Sequence, residues 1–350
     1  METDLNNYVM FFVSLLTSLS IASKRNLLLS YSVDKGLAFA LLAYFVLFIG
    51  FYPIKYGSDK YVYKIMYENV TSISGFSDIG WKKYNLLLNQ LLFPAWSFFL
   101  LTAYIYLVGY KKFYLKYINR GGNYYLLLAT FSSLGFVSYG INTLRAGMAL
   151  SLFLLALSMK EKRYLYPILF VLSVLIHKSL LLLVGAYYIT CFCKKNHYYY
   201  FFWISCFFLS LLNISFISSF LENTLGIADE RFTEYLSVTE SEGYRVGFRI
   251  DFIIYSLIPI ITVIYYKNKY KYSDIFYDQL FNIYILVNSF WLLIIRIQYT
   301  DRFAYLSWFL LPILMVYPLV NTVDIPHRNR NLSISIFLIA FIPFYLNLRS

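Results

Sequence analysis

Tyr164-Leu-Tyr-Pro-Ile-Leu-Phe-Val-Leu-Ser-Val-Leu-Ile-His177-Lys-Ser-Leu-Leu-Leu-Leu-Val-Gly-Ala-Tyr-Tyr-Ile-Thr190 is an apolar stretch broken near its centre by His177-Lys178-Ser179. A helix needs about 20 apolar residues to cross a bilayer core of roughly 30 Å. This stretch is longer than that, and its polar residues fall where a single span would lie deepest. Two readings compete: one long tilted helix with His177 hydrogen-bonded to a neighbour, or a re-entrant or broken hairpin whose tip reaches the outer half of the membrane. The flanking charges favour the hairpin. Lys160, Lys162 and Arg163 precede the stretch and Lys194 and Lys195 follow it. The positive-inside rule assigns both groups to the cytoplasm, and a single crossing would invert every later basic loop. Broken backbone at membrane depth is tolerated only where protein or a water-filled cavity receives it, so the tip is a candidate site.

The rest of the chain has the same character. Of 350 residues 60% are hydrophobic and 14% charged, and the mean hydropathy is +0.60. This is far too apolar for a soluble protein of that size. Candidate spans lie near 8–23, 36–52, 85–109, 123–139, 143–159, 198–219, 250–266, 279–296, 302–320 and 332–348, with 164–190 as the eleventh segment. The expected fold class is therefore all-α: a polytopic membrane protein of about 11 transmembrane segments, forming one membrane domain over 1–350 with no soluble domain. The net charge of +12 is spread over short loops between spans, which is a mark of membrane topogenesis and a poor match to nucleic-acid binding. Lys24, Arg25 and Lys35, then Lys111, Lys112, Lys116 and Arg120, and later Lys267, Lys269, Lys271, Arg328 and Arg330 mark the cytoplasmic loops. That pattern sets the N-terminus outside. Met1-Glu2-Thr3-Asp4 lacks the basic n-region of a signal peptide, so the first stretch is expected to remain as a true span. Cys191, Cys193 and Cys206 read as apolar filler, because no His/Cys set has metal-ligand spacing.

On this topology the unusual residues collect on the outer face. His177 is the histidine that lies within an apolar stretch, and its near-neutral intrinsic pKa suits removal of a proton from a hydroxyl nucleophile. Arg145 opens an apolar helix in Asn142-Thr-Leu-Arg145-Ala-Gly-Met, where it either snorkels to headgroups or turns its planar fork inward onto a phosphate. Arg231, Arg245 and Arg249 stand in an outer loop beside Glu222, Glu230, Glu234, Glu240 and Glu242, which supply an ordinary solvated-loop explanation. Arg296 and Arg302 flank a turn that also holds Asp301. Taken together, external arginines above a membrane cavity suit a lipid substrate that bears pyrophosphate. Asp59, after Gly57-Ser58, is the second candidate base, with pairing to Lys60 or Lys64 as its structural alternative; Asp78 ranks lower. Trp81 and Tyr84 are the aromatics chosen as platforms for sugar rings. No pair of convergent carboxylates is visible, which favours a mechanism without a metal or other cofactor.

The order of these features resembles the EpsG-like branch of the Wzy-type polysaccharide polymerases. The resemblance rests on Gly57-Ser-Asp59 with Tyr61 and Tyr63, on the acidic-Gly-aromatic element Asp78-Ile-Gly-Trp81, on Leu144-Arg145-Ala-Gly-Met-Ala-Leu and on Leu175-Ile-His177-Lys-Ser179-Leu. Two positions depart from the family pattern: Asp78 stands where Glu is usual, and Ala146 where Gln is frequent. The resemblance implies a membrane glycosyltransferase that polymerises O-antigen or exopolysaccharide repeat units. Such enzymes move glycan from undecaprenyl pyrophosphate to the non-reducing end of another lipid-linked unit, at the outer, periplasmic side of the bacterial cytoplasmic (inner) membrane. The implied partners are the undecaprenyl-pyrophosphate-linked oligosaccharide, membrane lipid, a chain-length regulator and other glycan-assembly membrane proteins. A flippase or transporter of lipid-linked oligosaccharide, a membrane O-acyltransferase acting on surface glycan, and a structural assembly subunit are the alternatives. Matched half-repeats would point to the transporter, and a cytoplasm-facing histidine to the acyltransferase.

Overall fold

The computed structural model describes residues 2–23, 28–71, 78–118, 121–211, 247–297, 299–322 and 325–349. Among them the regular structure is entirely helical. In lipid every backbone N–H and C=O must be satisfied within its own segment, and a helix does this without a neighbour. The helices are α1 (Glu2–Ser23), α2 (Tyr31–Gly50), α3 (Asp59–Glu68), α4 (Ile79–Gln90), α5 (Ala95–Tyr117), α6 (Asn123–Phe131), α7 (Phe136–Ile141) and α8 (Leu144–Ser158). They continue as α9 (Leu165–Ile176), α10 (Leu180–Phe192), α11 (Asn196–Leu211), α12 (Ile250–Tyr270), α13 (Ile275–Leu293), α14 (Thr300–Trp308), α15 (Leu311–Asn321) and α16 (Arg328–Arg349).

Among the described residues five helical stretches are long and apolar enough to cross a membrane: Leu5–Ser23, Tyr31–Gly50, Ile250–Tyr270, Thr300–Asn321 and Arg328–Leu348. The expected figure of about eleven spans is thus not reproduced by helix length and composition among the described residues; part of the expected span 198–219 lies outside them, and three of the expected segments are divided. The stretch 123–139 is cut into α6 and α7 around Gly135, whose φ is 87°. The stretch 85–109 is divided at Pro94, which caps α5, while residues 85–90 belong to α4. Proline starts a helix readily but cannot supply the N–H that would continue an earlier one. The third difference is at 164–190. Helical hydrogen bonding stops at His177, which has extended backbone angles (φ −154°, ψ 116°), and resumes in α10. The segment is therefore broken, as the reading of the loops expects, and a single long helix is not formed. Among the described residues α9 packs along α8 and against α4.

The chain divides into two compact units. Unit 1 comprises residues 1–184 and 315–350. Its most extensive packing is between α5 and α8, followed by α1 with α16 and α8 with α9. The α5–α8 crossing depends on Gly109. A Cβ there would lie 2.1 Å from the Ser151 carbonyl oxygen. Without one, the Gly109 N–H donates to Ser151 Oγ at 2.9 Å, and Ser151 Oγ in turn donates to the Ile105 carbonyl at 2.5 Å. Small residues at helix crossings permit this close approach where burial of apolar surface supplies no net drive. Elsewhere in unit 1, Asp34 Oδ1 accepts from the Tyr124 N–H at 2.8 Å and its Oδ2 from Asn123 Nδ2 at 3.0 Å, so a carboxylate from α2 caps the start of α6.

Unit 2 comprises residues 185–314. It is assembled around α13, which packs against α11, α12 and α14. Its centre is a polar chain. Trp203 Nε1 donates to Asn288 Oδ1 at 2.8 Å, Asn288 Nδ2 faces Ser256 Oγ and Ser307 Oγ, each at 3.1 Å, and Trp308 Nε1 donates to Ser256 Oγ at 2.8 Å. Interhelical hydrogen bonds of this type hold helices together in lipid.

Replacement of Gly109 by Ala is expected to force α5 and α8 apart and to cost about 1–3 kcal/mol of stability by overpacking. Gly185→Ala, with nothing within 4 Å of its new methyl group, should leave stability unchanged or slightly raised. Thermal unfolding midpoints of the two variants in detergent check the contrast.

Candidate functional site

The acidic-Gly-aromatic element builds the site. Trp81 is 1% exposed and its ring is enclosed by Tyr63, Tyr84 and Phe98, which anchors the first turn of α4. Gly80 lies against the last residues of α9: a Cβ at this position would sit 2.7 Å from the Leu175 carbonyl carbon and 3.0 Å from the Ile176 nitrogen. Only a residue without a side chain lets the two helix ends meet so closely. Asp78, the N-cap of α4, is thereby brought to the C-terminus of α9, where its side chain does not cap its own helix.

Three chain segments converge on that carboxylate. Arg145, the second residue of α8, donates from Nη1 to Asp78 Oδ2 at 2.6 Å. His177 Nδ1 lies 3.4 Å from the same oxygen, and the Lys178 backbone N–H donates to Oδ1 at 3.3 Å. The Asp78 side chain is 3% exposed, that of Arg145 15% and that of His177 27%, so the cluster is closed at the carboxylate and open at the imidazole. Helix dipoles fit two of the three charges. The N-terminus of α4 favours an anion and the C-terminus of α9 favours a cation, whereas Arg145 stands at a helix N-terminus, against the dipole of α8. Its pairing with Asp78 offsets that placement. Burial raises the Asp78 carboxyl, but the hydrogen bond and charge of His177, the Arg145 guanidinium and the Lys178 amide outweigh it and hold the group below the usual carboxylate value. With Nδ1 facing a carboxylate, a neutral His177 keeps its proton on Nδ1 and presents Nε2 as the acceptor.

The structure thus joins Arg145 and His177, both singled out in the sequence, through Asp78, which the sequence reading places below Asp59. The adjoining Gly80 and Trp81 seat Asp78, a role that local spacing alone does not disclose. The carboxylate beside His177 is Asp78, while Asp59 is the first residue of α3, following a Ser58 cap whose Oγ accepts from the Tyr61 N–H at 3.3 Å. The expected lysine partners of Asp59 are engaged elsewhere. Lys64 pairs with Glu68 at 3.8 Å, and Lys60 Nζ donates to the carbonyls of Ile49, Gly50 and Tyr52 at 2.9, 3.0 and 2.7 Å. Lys60 is 1% exposed, beneath the Phe99 ring at 4.7 Å, and burial pulls its ammonium down to about 7.

The expectation for Trp81 as an exposed sugar platform is corrected, because neighbouring rings enclose it in the core. Tyr84 is half-buried with its hydroxyl 3.0 Å from Thr102 Oγ1. The remaining arginines belong to unit 2. Arg249 forms a two-point pair with Asp251 at 3.0 and 2.6 Å, Arg296 lies over the Phe248 ring at 5.1 Å and Arg302 over Tyr299 at 4.4 Å. Arg231 and Arg245 lie outside the described residues.

Because the folded-state pKa of Asp78 is lowered, its contribution to stability is complete above the ordinary carboxylate pKa and is lost as pH falls through the folded value. Asp78→Asn leaves Arg145 without its anion and should cost about 3 kcal/mol at neutral pH. The difference in unfolding midpoint between wild type and Asp78→Asn should shrink steadily on acidification, and a pH-independent difference would refute the ionic account.

No curated protein and no solved structure matches this sequence. The model of the EpsG family matches residues 37–350, a stretch that includes Asp78, Gly80, Arg145 and His177. A helical membrane chain, with the acidic-Gly-aromatic element, the helix-opening arginine and the histidine gathered at one carboxylate, thus belongs to the EpsG family.

Proposed function

We propose that the protein polymerises lipid-linked polysaccharide repeat units, with Asp78, Arg145 and His177 at its catalytic centre. Membership of the EpsG family supports a role in membrane polysaccharide assembly. The observation that carries the finer reading is the contact of His177 Nδ1 with a buried carboxylate, which leaves Nε2 as the ring nitrogen not engaged by Asp78, in a side chain that is 27% exposed. In the proposed reaction Nε2 takes the proton of a sugar hydroxyl on the acceptor. The hydroxyl oxygen forms a bond to the anomeric carbon of the donor glycan, whose bond to phosphate oxygen breaks, and the electron pair leaves with undecaprenyl pyrophosphate. Asp78 holds the ring orientation and stabilises the imidazolium, in the manner of a carboxylate behind a catalytic histidine. Arginine side chains stabilise the departing anion, so this reading requires no metal. Arg145 serves mainly to fix Asp78. Asp59 is held in reserve as the proton acceptor should His177 prove to have only a positioning role.

The proposed location is the bacterial cytoplasmic membrane with the catalytic centre outside, on the strength of the basic loops that flank 164–190. Cysteines introduced at Ser179 and Asn142, after removal of Cys191, Cys193 and Cys206, should react with membrane-impermeant thiol reagents from the outside. Labelling only from the cytoplasm would overturn the orientation and with it an external active site.

Deletion of the gene should collapse the surface-glycan ladder to a single repeat unit. Complete loss of repeat units would instead indicate a flippase. His177→Ala and His177→Gln should both abolish polymer while lipid-linked substrate still binds, since Gln cannot take a proton at neutral pH. A normal ladder with Gln would remove His177 from the base role and make Asp59→Asn the deciding variant.

A further inference from the structure

Both ends of α4 lie at one end of the α5–α8 pair. Lys116 Nζ meets Glu161 Oε1 at 2.6 Å and the Tyr117 hydroxyl donates to the Leu157 carbonyl at 2.7 Å. Gly109 meets Ser151 about two turns earlier in each helix, so α5 and α8 run parallel and finish together. α4 begins where α8 begins, with Asp78 on Arg145, and Pro94, which caps the start of α5, follows soon after its end. Between those points Trp81 and Tyr84 rest on Phe98 and Thr102, in the first turns of α5. A helix of 12 residues that starts and stops at the same end of its neighbours does not cross the layer they span. Trp96 marks the height of that end. From Trp96 to Tyr110 α5 carries no charge, and Lys111 and Lys112 follow. The Trp96 ring stacks at 6.4 Å on Phe51, the C-cap of the membrane-length helix α2. A tryptophan at the edge of an apolar span belongs to the membrane–water boundary.

The two faces of α4 differ. Asp78, Trp81, Asn85 and Leu88 are buried, and steps of three or four residues keep them on one side. The other side carries Ile79, Lys83, Leu87 and Leu91, each four residues from the next. Its three apolar residues are more than half exposed, and Leu92, in the turn that follows, is 88% exposed. An apolar surface of this kind needs a cover. Lys83 decides which. A face turned to the bilayer centre does not set an ammonium in line between apolar side chains, and a face in bulk water has no use for the leucines. The stripe suits the boundary between headgroups and acyl chains, where the lysine stem lies along apolar neighbours and the ammonium reaches out to phosphate. Lys82 adds a second positive charge beside it.

We infer that α4 is an interfacial helix covered by bilayer lipid, with acyl chains against Ile79, Leu87, Leu91 and Leu92 and anionic headgroups at Lys82 and Lys83. The membrane surface then bears on the helix that presents Asp78 from one side, while the packing of Trp81 holds it from the other. This does not depend on the polymerase reading. The test uses the full chain in phosphatidylcholine nanodiscs, with Cys191, Cys193 and Cys206 replaced and a bimane label attached at Leu87→Cys or Leu91→Cys. Both positions are exposed, and either carries the comparison if the other variant does not fold. Glu68→Cys, at the exposed end of α3, is the aqueous reference. Lipid brominated near the glycerol end of its chains should quench the α4 labels severalfold more than lipid brominated near the methyl end, and aqueous iodide should quench them severalfold less than the reference. Brominated phosphatidylglycerol should quench more than brominated phosphatidylcholine, and Lys82→Gln with Lys83→Gln should remove that preference, about fivefold for each lysine. Iodide quenching equal to the reference would place the stripe in water. Protection from both quenchers would place it against a second copy of the chain or another protein, and strongest quenching from the methyl end would make α4 part of a crossing. Each of these results overturns the inference, as does an undiminished phosphatidylglycerol preference in the lysine variant.

Discussion

A carboxylate enclosed almost completely by protein joins pieces of unit 1 that are remote in sequence. Asp78 accepts from Arg145, 67 positions further on, and faces His177, 99 positions further on. In a low-dielectric surrounding each of these groups would be expensive alone. The anion answers the guanidinium, the guanidinium helps to keep the carboxyl ionised, and the ionised carboxyl orients the imidazole. Packing prepares this arrangement before electrostatics completes it, since the contact exists only because Gly80 lets α4 meet the backbone of α9. A methyl group at Gly80 would disturb the Asp78 cluster without touching any charged atom.

The sequence carries the class of the protein openly. A chain this apolar, punctuated by short basic loops, has few alternatives to crossing a bilayer repeatedly, and the break at His177 is legible because 27 residues exceed one span. Helix lengths are less legible. Hydropathy runs smoothly through 123–139, yet backbone geometry at Gly135 divides it, because transfer free energy is indifferent to φ. Arg145 and His177 stand out because a charge in an apolar helix needs a reason. Asp78 does not, since it sits in a polar segment where carboxylates are ordinary. Its importance arises from convergence in space, which no local pattern encodes. Trp81 was misjudged for a related reason: a tryptophan near a polar loop reads as accessible until its neighbours are known.

The two units use charge in different ways. In the Asp78 cluster of unit 1 the carboxylate and the guanidinium are matched to one another, so that the pair is neutral and its geometry is stiff. In unit 2 Arg296 is matched to a ring, which steadies it without cancelling its field. A matched ion pair suits the orientation of a catalytic base, and an unmatched cation suits attraction of an anion.

Lys60 has a consequence for chemical reactivity. Its amine closes the end of α2 by donating to three carbonyls, and at 1% exposure no reagent reaches it. Burial also brings its pKa to about 7. The lowered value belongs to the enclosed amine alone, because loss of hydration is its cause. Small acylating reagents should therefore find Lys60 silent while α3 is seated. As α3 loosens, water reaches the amine and its ordinary basicity returns, so acylation of this one residue, arriving later than that of the exposed lysines, records local opening of the segment that precedes the site.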